Sequence, residues 1–138
     1  MEREAWIADA SIAVKLFRPL AYEPDRKLAE TLITRSAIRT TTLCVHEVGN
    51  VLIGKTRDSP EQIDQKLRAL VRFCGQPIDL DPSDYKRVVQ LVREHDLTFY
   101  DASYVAIAER LGRRVVSADR DLLDPGLAVD LATATGVS

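Results

Sequence analysis

The sequence is poor in the residues that build most zinc and redox centres, with two cysteines and two histidines in 138 residues. Cys44 and Cys74 each sit in an apolar pattern with no second cysteine or histidine at zinc-ligand spacing, which points to buried free thiols. His46 and His95 have no histidine partner at ligand spacing either, and His95, in Arg93-Glu94-His95-Asp96, fits a C-terminal helix cap. No apolar run reaches the roughly 18 residues of a membrane span. The charged start, Met1 to Trp6, has no basic segment, apolar middle or small-residue cleavage site, so the expectation is a cytoplasmic protein without a membrane partner. No glycine-rich turn follows the first apolar run, which excludes a dinucleotide-binding start. Repeats, low-complexity tracts and linkers are absent from the sequence too. The formal charge of −2 excludes adhesion to nucleic acid by bulk electrostatics, though not a nuclease.

What is present is a single alternating pattern, read as one domain over residues 1–138. Ala5 to Ala8 reads as a strand ending at Asp9, and Ala10 to Phe17 as a helix. Pro24 to Arg35 predicts an amphipathic helix, Ile38 to Thr42 a strand, and Leu43 to Gly54 an apolar helix. Ser59-Pro60-Glu61 opens a further helix with Ile63, Leu67, Leu70, Val71 and Phe73 as its core face. Ile78 to Leu80 reads as a strand, and Asp81-Pro82-Ser83-Asp84 starts a helix carrying Val88, Val89, Leu91 and Val92. A helix then begins at Asp101 with an apolar face of Ala102, Val105, Ala106, Ile107 and Leu111, and ends at Gly112. Arg114 to Ser117 and Leu127 to Leu131 complete the strands, with Asp124-Pro125-Gly126 as a turn. The fold class is therefore α/β, a three-layer sandwich with a mostly parallel sheet.

Four acids stand out by position. Asp9 follows the first strand, Glu47 is the only acid of Leu43 to Gly54, Asp101 opens a helix, and Asp119 follows a late strand in Ser117-Ala118-Asp119-Arg120-Asp121. Position alone favours the N-cap reading of Asp9 over a functional one. Glu47 differs, because an unpaired charge buried on an apolar helix costs several kcal/mol and the segment offers no base before Lys55. Asn50 lies one turn on, on the same face. An α/β sandwich can bring all four acids to one rim. Clustered carboxylates are then stable only if protonated or bridged by a cation, and oxygen ligands alone select Mg²⁺ or Mn²⁺. Such a site suits phosphodiester hydrolysis. With these acids neutralised the remaining surface is net basic, with Lys15, Arg18, Lys55, Arg57, Lys66, Arg68, Arg72, Arg110, Arg113, Arg114 and Arg120 available, although for any one of them a solvated helix face is the simpler reading.

The segments Ile7-Ala8-Asp9-Ala10-Ser11, Glu47-Val48-Gly49-Asn50-Val51-Leu52, Tyr100 to Ala108 and Ser117 to Leu122 resemble the sequence blocks of PIN-domain ribonucleases, especially VapC-type toxins. The resemblance implies a Mg²⁺- or Mn²⁺-dependent endoribonuclease acting on transfer or ribosomal RNA. It implies a five-stranded parallel sheet, a homodimer, and inhibition by a cognate antitoxin whose tail enters the acidic site. Asp9, Glu47 and Asp101 match the family's three core acids as catalytic and metal-binding residues, and Asp119 matches its more variable fourth, with Asp121 a competitor for that place. Ser117 matches a serine or threonine near the metal, and Asn50 an asparagine after the glutamate. This chain has Thr42-Leu43-Cys44 where the family often has a proline. Phe17, Leu20 and Tyr22 are the expected antitoxin contact, as apolar residues around a turn. A receiver-like phosphoacceptor needs an acidic pair after the first strand and a late lysine, where this chain has Asp9 alone and Arg120. A dehalogenase-type phosphatase needs an aspartate where Ser11 stands. The remaining alternative is a catalytically silent PIN-like module that binds RNA or protein.

Overall fold

Apolar side chains on short β-prone runs set the centre of the molecule. The computed structural model describes residues 5–17 and 25–136. Strand β1 (Ala5–Ala8) buries Trp6, Ile7 and Ala8, as expected of a strand covered on both faces. It pairs in parallel with β2 (Ala37–Arg39) on one side and with β3 (Arg114–Val116) on the other, in a register that sets Trp6 against Ile38 and Ile7 against Val115. Strand β4 (Ala128–Val129) extends β3, again in parallel, so the order is β2-β1-β3-β4. The chain moves one way from β1 to β2 and the other way from β2 past β1 to β3. Right-handed crossovers then place helices on both faces and leave a crevice where the ends of β1 and β3 adjoin.

The sheet has four strands among the described residues, where the resemblance implied five. The run from Ile78 contributes a single parallel bridge to Thr41: the Ile78 amide donates to the Thr40 carbonyl and the Thr42 amide to that of Ile78, both at 3.0 Å. Pro77 before it has no N–H, and Asp79 after it accepts the Thr42 hydroxyl, so the ladder stops at one residue.

The helices follow the sequence with shifted ends. The first is α1 (Ala10–Ala13), continued by a 3₁₀ turn over Val14–Phe17. Helix α2 (Arg26–Arg35) begins later than the expected Pro24, which lies outside the described residues, as do Leu20 and Tyr22. Helix α3 (Thr42–Lys55) takes over residue Thr42, because the Thr41 hydroxyl caps it by accepting from the Cys44 amide. Helix α4 (Pro60–Cys74) opens with a reciprocal Ser59–Gln62 capping box. Its core residues are Leu70 and Cys74, one turn apart; Phe73, a residue off that line, is 51% exposed. A 3₁₀ turn over Pro82–Asp84 leads into α5 (Tyr85–His95), whose buried residues are Val88 and Leu91 while Val89 is exposed. Asp96, in the left-handed conformation, closes that helix in place of His95.

Helix α6 (Phe99–Arg110) is buried all round from Ala102 to Ala108, so it is a central helix rather than one with a single sheet-facing stripe. It packs on α5, β1 and β3. Helix α7 (Arg120–Leu123) follows β3, and α8 (Leu131–Thr135) takes the last residue of the expected final strand, capped by Asp130 accepting from the Thr133 amide at 2.7 Å. Cys44 and Cys74 are buried free thiols, their ionisation pushed by burial up to about 12 and about 11. No helix among the described residues is long and apolar enough to cross a membrane.

Candidate metal centre

The site forms where β1 and β3 end. Asp9, the residue after β1, is 4% exposed and caps α1 through the Ile12 amide at 3.3 Å. Both its carboxyl oxygens also accept hydroxyls at 2.5 Å, Oδ1 from Ser11 and Oδ2 from Ser117. The same hydroxyls take backbone amides from the loop after β3: Ala118 donates to Ser11 Oγ at 2.8 Å, and Asp119 to Ser117 Oγ at 2.9 Å. Two serines thus stitch the end of β1 to the end of β3 and fix the turn from which Asp119 projects. Asp9 is a cap and a member of the acidic neighbourhood at once.

Asp101 lies in the first turn of α6, third in the helix rather than at its opening, and its amide donates to the capping hydroxyl of Thr98 at 3.0 Å. Asp119 caps α7 by accepting from the Asp121 amide at 2.9 Å. Asp101, Asp119 and Asp121 converge: one carboxylate oxygen from each lies within 4.8 Å of the others. Glu47 comes from α3, half-buried, and its Oε1 accepts the Tyr104 hydroxyl at 2.8 Å. The cluster of three includes Asp101 and Asp119 of the four expected acids and adds Asp121; Asp9 and Glu47 are not members of it.

Electrostatics tie the flanking acids to the cluster. Burial, and then the charges of Asp119, Glu47 and Asp121, push the Asp101 carboxyl above its ordinary range. Burial pushes Asp9 up to about 6, opposed by the hydrogen bonds from Ser11, Ser117 and the Ile12 amide and reinforced by Asp101. Burial likewise drives the Tyr104 phenol far up, with Cys44 and Glu47 adding to it, so this hydroxyl stays protonated and donates to Glu47. Asp101 therefore sits among carboxylates that repel one another, and hard oxygen donors this close together could hold a divalent cation.

Ser117 donates its hydroxyl to Asp9, while Asn50 is exposed on α3 and His46 beside Glu47 is exposed as well. Ser11 and Tyr104 were missed as site residues. The signal for Tyr104 was available: a phenol followed by the apolar run Val105 to Ala108 must find a partner for its hydroxyl when buried. Several of the basic residues expected to meet phosphates are engaged elsewhere, Lys66 with Asp58, Arg68 with Asp64, Arg110 with Asp84 and Arg120 with Asp124. Arg18 lies outside the described residues.

Known proteins resemble this chain in sequence and fold. Ribonuclease VapC3 of Pyrobaculum aerophilum is 28% identical over 123 residues, covering 86% of this chain and 92% of that protein. The crystal structure of PAE2754 from Pyrobaculum aerophilum superposes with a TM-score of 0.70 at 26% identity, over 96% of this chain and 88% of that one. A chain of a toxin-antitoxin complex from Klebsiella pneumoniae shares the fold, with a TM-score of 0.70 at 17% identity over 91% of this chain and 96% of its own. The PIN domain pattern matches residues 7–126, which span β1 to the turn before β4 and hold all five acids. This chain belongs to the PIN domain family.

Proposed function

We propose that residues 1–138 form a single Mg²⁺- or Mn²⁺-dependent endoribonuclease domain, the toxin of a toxin-antitoxin pair. The observation that carries this reading is the convergence of Asp101, Asp119 and Asp121 at the C-terminal end of a parallel sheet, flanked by Asp9 and Glu47. The name of the relative Ribonuclease VapC3 supports RNA as the substrate class, and the Klebsiella pneumoniae complex supports an antitoxin protein as partner. Transfer or ribosomal RNA is the proposed target, and a homodimer the proposed assembly.

In this reading Asp9, Glu47, Asp101 and Asp119 are the catalytic and metal-binding acids, with Asp121 as a fifth. When bound, a divalent ion supplies Lewis acidity that acidifies water and offsets charge on the scissile phosphate. The chain's own contribution is placement. Ser11 and Ser117 hold Asp9 by both oxygens, and Tyr104 holds one oxygen of Glu47. The Thr98 cap fixes the turn bearing Asp101, and the cap that Asp119 places on α7 fixes Asp119 itself. A site whose carboxylates are already oriented loses little entropy on taking up its ion and substrate.

Purified, antitoxin-free protein is expected to cut total cellular RNA into discrete fragments with Mg²⁺ or Mn²⁺, and to leave it intact with EDTA. Internal fragment ends establish an endonuclease, and mapping them names the RNA. Intact RNA under metal-loaded conditions contradicts the reading and leaves the silent RNA- or protein-binding module.

A further inference from the structure

Two exposed aromatic side chains precede Asp101 in the chain, Phe99 at 45% and Tyr100 at 62%. Both belong to the first turn of α6, immediately before Asp101. They do not face the same way. On a helix of 3.6 residues per turn, Tyr104 projects between the directions of Tyr100 and Asp101. Tyr104 is the residue whose hydroxyl reaches Glu47 on α3, so Tyr100 rises on that same side, one turn nearer the helix start. Phe99, a further step around the helix, points away from it. Long helical side chains lean toward the N-terminus, which carries the Tyr100 ring out over the rim instead of back onto α6.

The turn that presents this ring is well anchored. Thr98 caps it by accepting from the Asp101 amide at 3.0 Å, and the Ser103 hydroxyl donates to the Tyr100 carbonyl at 2.6 Å. A flat apolar surface is thus held in water beside three converging carboxylates. Those carboxylates repel a phosphodiester, whereas a neutral ring attracts a nucleobase irrespective of charge.

We propose that Tyr100 is a stacking site for an unpaired nucleobase adjacent to the phosphate held at the Asp101 cluster, an assignment that rests on the ribonuclease reading. Any base presents a π face, so the contact tolerates sequence, and a base inside a duplex does not present that face to it. The site therefore selects single-stranded segments, loops or bulges over continuous helix.

The test is steady-state cleavage, with Mn²⁺, of a single-stranded RNA oligonucleotide that carries 2-aminopurine beside the scissile phosphate. Tyr100→Ala is expected to raise KM about tenfold with kcat little changed and to abolish the fluorescence quenching that wild type causes on binding. Tyr100→Trp should restore both, and Phe99→Ala, on the same turn but facing away, should match wild type. Equal KM and equal quenching in wild type and Tyr100→Ala overturn the stacking site while leaving the nuclease standing. A wild-type protein that neither binds nor cuts the RNA overturns the ribonuclease reading itself, and the stacking site with it.

Discussion

Asp9 shows how a single residue is pulled in opposite directions. Burial disfavours its charge, while two serine hydroxyls and the Ile12 amide favour it; the balance leaves the carboxyl at about 6 against an ordinary 3.8. The sign of the consequence is fixed by that direction. A carboxyl that holds its proton more tightly folded than unfolded stabilises the fold when protonated and costs stability once ionised. The metal-free protein should therefore lose stability as pH rises from about 4 to about 6, by up to about 1.4 kcal/mol per pH unit for this group, and change no further through it above that window. The raised Asp101 carboxyl adds a change of the same sign. Urea unfolding in EDTA across pH 4 to 7 should show this fall, and Asp9→Asn should flatten it. A wild-type stability that rises over the same window contradicts the account.

At the level of elements, α6 decides how much of the site is built in advance. Its buried run from Ala102 to Ala108 fixes the helix against β1 and β3, and its first turn hangs Asp101 over the end of the sheet. Removing the cap with Thr98→Ala should cost about 1 kcal/mol of stability and lower RNA cleavage by more than that loss explains, because the turn carrying Asp101 frays. Thermal unfolding and cleavage rates measured on the same preparation separate the two effects. The alternation of strand and helix was legible in the sequence because apolar periodicity changes at each boundary, and the capping signals at Asp9 and Ser59 mark true helix starts. Less legible were places where one residue serves two elements: Thr42 leaves its strand because Thr41 caps α3, and Leu131 leaves its strand because Asp130 caps α8. The acids of the candidate site stand out in the sequence because a carboxylate in an apolar segment, or after a strand, is conspicuous. The groups that orient them are less legible: a buried Tyr104 phenol announces that it needs a partner without naming Glu47, and Ser11, which donates to nearby Asp9, is tied to the loop after β3 through the Ala118 amide, distant in sequence.

Across the whole molecule, the strand order brings the site together. Asp9 follows β1, Asp119 and Asp121 follow β3, and these strands are neighbours only because the chain reverses direction past β1. Helices α3 and α6 contribute Glu47 and Asp101 from the segment that makes this reversal. The fold thus concentrates negative charge at one end of the sheet, a cost that a bound divalent cation would relieve. Titration of the protein with Mn²⁺, followed by the loss of the free-ion signal in electron paramagnetic resonance, tests this claim most directly. Wild type should bind Mn²⁺, and Asp101→Asn should weaken that binding about tenfold or more. Failure of the folded wild-type protein to take up Mn²⁺, or equal uptake by Asp101→Asn, would contradict the account.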